Sequence, residues 1–85
     1  MKQVEIYTTP ICGYCAMAKR LLEAKGVDFI EIDVMSNSAA KAQMIERANG
    51  GRTVPQIFVG SEHVGGSDDL HALERAGKLD ALLAA

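Results

Sequence analysis

The stretch "QVEIYTTPICGYCAMAKRLLEAKGVDFIEIDV", Gln3 to Val34, decides the fold. Val4 and Ile6 alternate with Gln3 and Glu5, the two-residue period of a strand with one buried face. Pro10 closes that strand and opens a loop. From about Cys15 to Lys25 the chain is rich in Ala, Leu and Lys, and Cys15, Ala18, Leu21 and Leu22 fall on one helical face. Gly26 is a natural stop for that helix, because glycine takes the left-handed conformation past a helix end without steric cost. "VDFIEIDV", Val27 to Val34, turns to β-branched and aromatic residues and reads as a second strand. Strand–helix–strand implies two parallel strands joined by a right-handed crossover.

Downstream, Ser36, Asn37 and Ser38 offer N-caps for a second helix that carries Met44, Ile45 and Ala48 inward and ends at "NGG", 49–51. "VPQIFVGSEHVGG", 54–66, is a strand, a tight turn at Gly60 and Ser61, and a shorter strand, hence an antiparallel hairpin. Ser67 is expected to cap a third helix, with Asp68 and Asp69 in its first turn, where the helix dipole favours negative charge. Gly77 breaks that helix, and "KLDALLAA" adds a last apolar turn or two. The order β-α-β-α-β-β-α predicts one α/β domain over residues 1–85. Its four-stranded mixed sheet, flanked by helices on both faces, is the thioredoxin-like architecture.

Composition narrows the function. A net charge of −2 and a pI near 5.6, without any basic run, speak against nucleic-acid binding. Apolar runs fall far short of the roughly 20 residues that span a bilayer, so no membrane role is expected. "MKQVEIYTTP" lacks the continuous apolar core of a signal peptide, which points to the cytoplasm. There a C-x-x-C pair is more often catalytic or metal-binding than a permanent staple.

Both cysteines of the chain, Cys12 and Cys15, lie in this loop-to-helix junction, and no acidic residue occurs from Ile6 to Leu22. The free N–H groups and partial positive charge of a helix N-terminus stabilise a thiolate at Cys12, and Lys19 and Arg20 one to two turns on add to that. Cys15, inside the helix, is expected to be buried and within reach of a disulfide. Cys12 is then the attacking thiol and Cys15 the resolving one. A zinc site would need His63 and His71, whose spacing is wider than that of paired zinc histidines. A structural disulfide closing so short a loop restrains the unfolded chain little. Two inert core thiols are the remaining alternative. His63 and His71 read as surface residues without a role.

Three further motifs extend this reading. "CGYC" at 12–15 resembles the C-P-Y-C of the glutaredoxins, with Gly13 in the proline position. "RTVPQIFV" at 52–59 and "VGGSDDL" at 64–70 resemble that family's T-V-P segment and its glycine-pair-plus-aspartate motif. The resemblance, to the dithiol class, runs nearly end to end. It implies a glutathione-dependent thiol–disulfide oxidoreductase that reduces protein disulfides and glutathione mixed disulfides, with glutathione as co-substrate. It also implies that Cys12 takes the glutathionyl group beside Tyr14, and that the Val54–Pro55 bond is cis. Thr53, Val54 and Pro55 would pair with the peptide, and Gly65 and Gly66 would admit it closely. Ser67 and Asp68 would receive its γ-glutamyl end, and Arg52 its glycyl carboxylate.

Two departures stand out: the basic residue that many members carry before the first cysteine is replaced by Thr8, Thr9, Pro10 and Ile11, and Gly13 loosens the turn between the thiols. A monomer is expected, acting on disulfide-containing or glutathionylated proteins. The alternative is a dimer bridged by a [2Fe–2S] cluster, Cys12 of each copy and two glutathiones giving the four thiolates. A third reading is a thioredoxin-like reductant independent of glutathione.

Overall fold

The structure, a computed structural model, describes residues 2–84; Met1 and Ala85, the outermost residues of the first and last segments read above, lie outside the described residues. The elements in chain order are β1 (Val4–Thr8), α1 (Gly13–Ala24), β2 (Phe29–Asp33), α2 (Ser38–Arg47), β3 (Gln56–Val59), β4 (Glu62–Gly65), α3 (Ser67–Arg75) and α4 (Leu79–Ala84). The strands lie in the order β2-β1-β3-β4. β1 and β2 are parallel, whereas β3 runs antiparallel to both β1 and β4, giving the mixed sheet that the sequence implies. The final apolar stretch, read as a turn or two, forms the six-residue helix α4.

Alternation along β1 and β3 sorts their side chains to two faces. Val4, Ile6, Ile57 and Val59 face a core completed by Ala18 and Leu22 of α1, Leu70 of α3, and Leu79 and Leu83 of α4. Tyr7 and Phe58 point the other way, against Val34 and against Ala40, Met44 and Ala48 at α2. Thus α1, α3 and α4 cover one face and α2 the other. Ile6, Leu22, Met44 and Leu70 are wholly buried, and each such side chain contributes about 1.5–3 kcal/mol of apolar transfer.

The α2 face carries less apolar bulk, and Arg47 spans it. Its guanidinium donates to the Glu5 carboxylate at 3.0 Å and to the Tyr7 hydroxyl oxygen at 2.9 Å, and lies 4.0 Å from the Phe58 ring centroid. Burial opposes that charge, and the Tyr7 and Glu5 contacts outweigh it and hold the group protonated. On the opposite face Lys25 ends α1 and reaches Glu74 at 2.7 Å and Asp80 at 2.9 Å, tying α1 to α3 and α4. Those two carboxylates raise the Lys25 pKa above its ordinary value.

Helix ends follow their caps. Asn37 caps α2, its side-chain oxygen accepting from the Ala40 N–H at 3.0 Å. Gly26 takes φ +70°, as expected of the residue past α1. The expectation that Ser67 caps α3 is corrected: Gly66 is the N-cap and Ser67 is the first helical residue, 3% exposed. Gly66 has no side chain to cap with, so the Asp69 carboxylate reaches back and accepts from the Gly66 N–H at 2.9 Å.

Candidate active site

Strand directions bring the sequence motifs together. Tyr7, near the end of β1, pairs with Gln56 at the start of β3, and Ile57 pairs with Gly65 at the end of β4. The loop after β1, the turn before β3 and the junction from β4 into α3 therefore meet at one end of the sheet. These three segments carry Cys12, the Thr53–Pro55 turn and the Gly66–Asp68 helix start.

Cys12 is the N-cap of α1, extended at φ −149° and ψ 106°, and its Sγ accepts from the Cys15 N–H at 3.1 Å. A sulfur thus occupies the place that a serine or aspartate oxygen usually fills, which is why α1 begins at Gly13 rather than at Cys15. The first turn holds no acidic residue. Cys12 and Cys15 are joined as a disulfide with Cα atoms 5.2 Å apart. Cys15 is 2% exposed, whereas Cys12 is half-buried between Ile11, 96% exposed, and the open Gly13. Of the two residues only Cys12 is accessible, so an incoming disulfide reaches Cys12 and leaves Cys15 to act from within.

The Val54–Pro55 peptide is cis, and the Val54 carbonyl oxygen stands 3.9 Å from Cys12 Sγ. From there a cleft of about 460 Å³ runs between the Thr53–Pro55 turn and the Gly65–Asp69 segment, with Tyr14 at its border. Eight residues assigned to the ligand in the sequence, Tyr14, Thr53, Val54, Pro55, Gly65, Gly66, Ser67 and Asp68, line that one cleft. Gly65 has φ +114°, a conformation that admits glycine, and a Cβ there would collide with the Asp69 carboxylate. Arg52 lies outside the cleft, in a second groove with Thr9, Ser38 and Lys41.

The structure changes three other readings. Lys19 does not stand free behind Cys12: Glu31 of β2, remote in sequence, meets its ammonium at 3.1 Å. The same carboxylate accepts from the buried Thr8 hydroxyl at 2.8 Å, and Thr8 first, then Lys19, holds Glu31 below the usual carboxylate range. His63 is exposed, as read, yet it stacks on Phe58 at 4.9 Å and 24° and hydrogen-bonds Gln56 at 2.6 Å. His71 Nδ1 donates to the Ser67 carbonyl at 2.8 Å. Gln56, to which no motif assigns a role, is buried at the wall of the cleft and donates to the Thr53 carbonyl at 3.0 Å. Its only sequence signal is its place directly after Pro55.

A thioredoxin-like sheet with a dithiol at the start of its first helix and a cis-proline turn against the outer sulfur defines a thiol–disulfide protein. The family model for glutaredoxin matches residues 4–64. A glutaredoxin of Pseudomonas aeruginosa is 59% identical over all 85 residues and over its own full length. Glutaredoxin 3 of Escherichia coli is 52% identical over 98% of this chain and 99% of its own. In three dimensions, the buckwheat glutaredoxin–glutathione complex superposes with TM-score 0.88 at 30% identity, over 98% of this chain and 77% of the other. The chain belongs to the glutaredoxin family and is a thiol–disulfide oxidoreductase with a dithiol active site.

Proposed function

We propose that the electron donor is glutathione and that one domain, residues 1–85, acts as a monomer in the cytoplasm on glutathionylated proteins and protein disulfides. The observation that carries this is the cleft that starts at the Val54 carbonyl beside Cys12 and ends at the first N–H groups of α3. Its lining, from Val54 to the start of α3, suits a γ-glutamyl peptide whose sulfur lies at Cys12. The backbone of Val54 pairs with the peptide as an added strand would. Gly66 lets the ligand approach closely, and the N–H groups of Ser67 and Asp68, pointing out of the helix start, take the γ-glutamyl carboxylate. The Asp68 side chain answers the ammonium group, Tyr14 flanks the sulfur, and Arg52 in the neighbouring groove takes the glycyl carboxylate. The buckwheat relative's complex with glutathione supports the assignment.

The reaction follows from which sulfur is exposed. The Cys12 thiolate, held by the Cys15 N–H, attacks the glutathione sulfur of a mixed disulfide. A Cys12–glutathione bond forms, and the target thiol leaves with the bonding electron pair. A second glutathione thiolate then attacks the glutathione sulfur on Cys12, forming glutathione disulfide and returning the Cys12 thiolate. With a protein disulfide, Cys12 joins one target sulfur and Cys15 displaces it, leaving the Cys12–Cys15 disulfide to be reduced by two glutathiones. A [2Fe–2S]-bridged dimer would draw one Cys12 from each copy and two glutathiones, so a single accessible cysteine per chain serves that second reading as well. The pairing of Cys12 with Cys15 is what favours the dithiol reductase.

Cys12→Ser is expected to abolish glutathione-coupled turnover. Cys15→Ser keeps reduction of a glutathione mixed disulfide and loses most reduction of protein disulfides. Turnover that survives loss of Cys12 contradicts the assignment.

A further inference from the structure

We infer that His63 is a positioning residue for the glutathione cleft, acting on the Thr53–Pro55 turn through the side chain of Gln56. This rests on the reading of that turn as the peptide-binding element.

Gln56 follows Pro55 and folds its side chain back along the turn. Its Nε2 donates to the Thr53 carbonyl at 3.0 Å and lies 3.4 Å from the Thr53 hydroxyl, closing the loop that presents Val54. The amide can do this in one orientation only, with Oε1 turned away. That oxygen faces His63 Nε2 at 2.6 Å. Because the Gln56 oxygen can only accept, Nε2 of His63 carries the proton and donates. The Thr53 carbonyl sets the orientation of the amide, and the imidazole N–H secures it by donating to the oxygen turned away. A reversed Gln56 would set its oxygen against the Thr53 carbonyl oxygen, and two acceptors repel.

The imidazole is itself held. Its ring stacks on Phe58 at 4.9 Å, and Phe58 is 1% exposed beneath the Arg47 guanidinium. Phe58 and His63 are partners in the β3–β4 register, just after the irregularity between Ile57 and Phe58. An exposed histidine on an edge strand normally contributes little. Here ring stacking and a hydrogen bond to a buried amide place one imidazole N–H against the side chain that braces the ligand turn. His63 also borders the cleft, yet its Nε2 is committed to Gln56, so its effect on the ligand runs through the turn.

Two variants separate the ring from the donor. His63→Phe keeps an aromatic ring on Phe58 and removes the N–H; His63→Gln restores an N–H donor and removes the ring. In His63→Phe the apparent KM for a glutathione mixed disulfide is expected to rise roughly two- to tenfold, the range of one lost neutral hydrogen bond. Its kcat and the pH dependence of Cys12 alkylation stay at the wild-type values, and His63→Gln recovers most of the lost affinity. Without ligand, amide hydrogen exchange at Thr53 and Val54 accelerates in His63→Phe and returns toward wild type in His63→Gln. Wild-type KM and exchange in His63→Phe overturn the inference, as does a His63→Gln protein as impaired as His63→Phe. A shift in Cys12 alkylation also overturns it, because the effect would then act on the thiol. Faster exchange with no glutathione-dependent turnover in the wild type would instead leave the turn contact standing and remove the glutathione reading.

Discussion

At Cys12 a sulfur stands where helices usually carry a serine or aspartate oxygen, and the Cys15 N–H that reaches it at 3.1 Å is a donor that α1 would otherwise leave unpaired. Gly13 after it sits at the first helical position, where proline costs least, and a Cβ there would meet nothing within 4 Å. The proline of the family's motif would therefore have room. Below the loop, Thr8 is 1% exposed and donates to Glu31, which also meets Lys19. This carboxylate titrates below its ordinary 4.5 when folded, so it contributes stability above that value and loses it as pH falls through the lower, folded one. Glu31→Gln is expected to cost a few tenths of a kcal/mol, up to about 1, at neutral pH, the range of an exposed ion pair. Urea melts at a series of pH values check this: the two proteins should converge once the wild-type carboxyl is protonated, and a gap independent of pH contradicts it.

Among the elements, α3 depends on the residues just before it. Gly65 at φ +114° lets the chain turn under the Asp69 carboxylate, which in turn holds the Gly66 N–H. Gly65→Ala adds both a disfavoured backbone conformation and a collision with Asp69, a cost of about 1–3 kcal/mol for the backbone alone. Urea denaturation is expected to show that loss together with a raised KM for the glutathione substrate, since the start of α3 moves; wild-type stability and KM would refute it. The elements themselves were legible because their periods were clean: Val4 and Ile6 separate from Tyr7 as strand alternation requires, and Asn37 and Gly26 mark helix ends. Ser67 misled, because a serine before two aspartates has the pattern of a cap whether it stands at the boundary or one residue inside it. The backbone of Gly66 and the reach of Asp69 decide which, and neither shows in residue type.

For the whole molecule, the decisive feature is that antiparallel pairing of β3 with β1 and β4 gathers three distant segments at one end of the sheet. The motifs showed what those segments carry, and their residues do line one cleft. What the sequence hid were contacts between distant elements: Glu31 of β2 on Lys19 of α1, and His63 on Phe58 and Gln56, which depends on the β3–β4 register and its irregularity between Ile57 and Phe58. With Lys19 engaged by Glu31, the helix start is left to ionise Cys12 together with Arg20 further along α1. Alkylation rate against pH, measured on reduced Cys15→Ser protein, tests this most directly. The rate is expected to rise with a midpoint below the roughly 8.5 of a free cysteine. A midpoint at or above that of free cysteine would contradict the account.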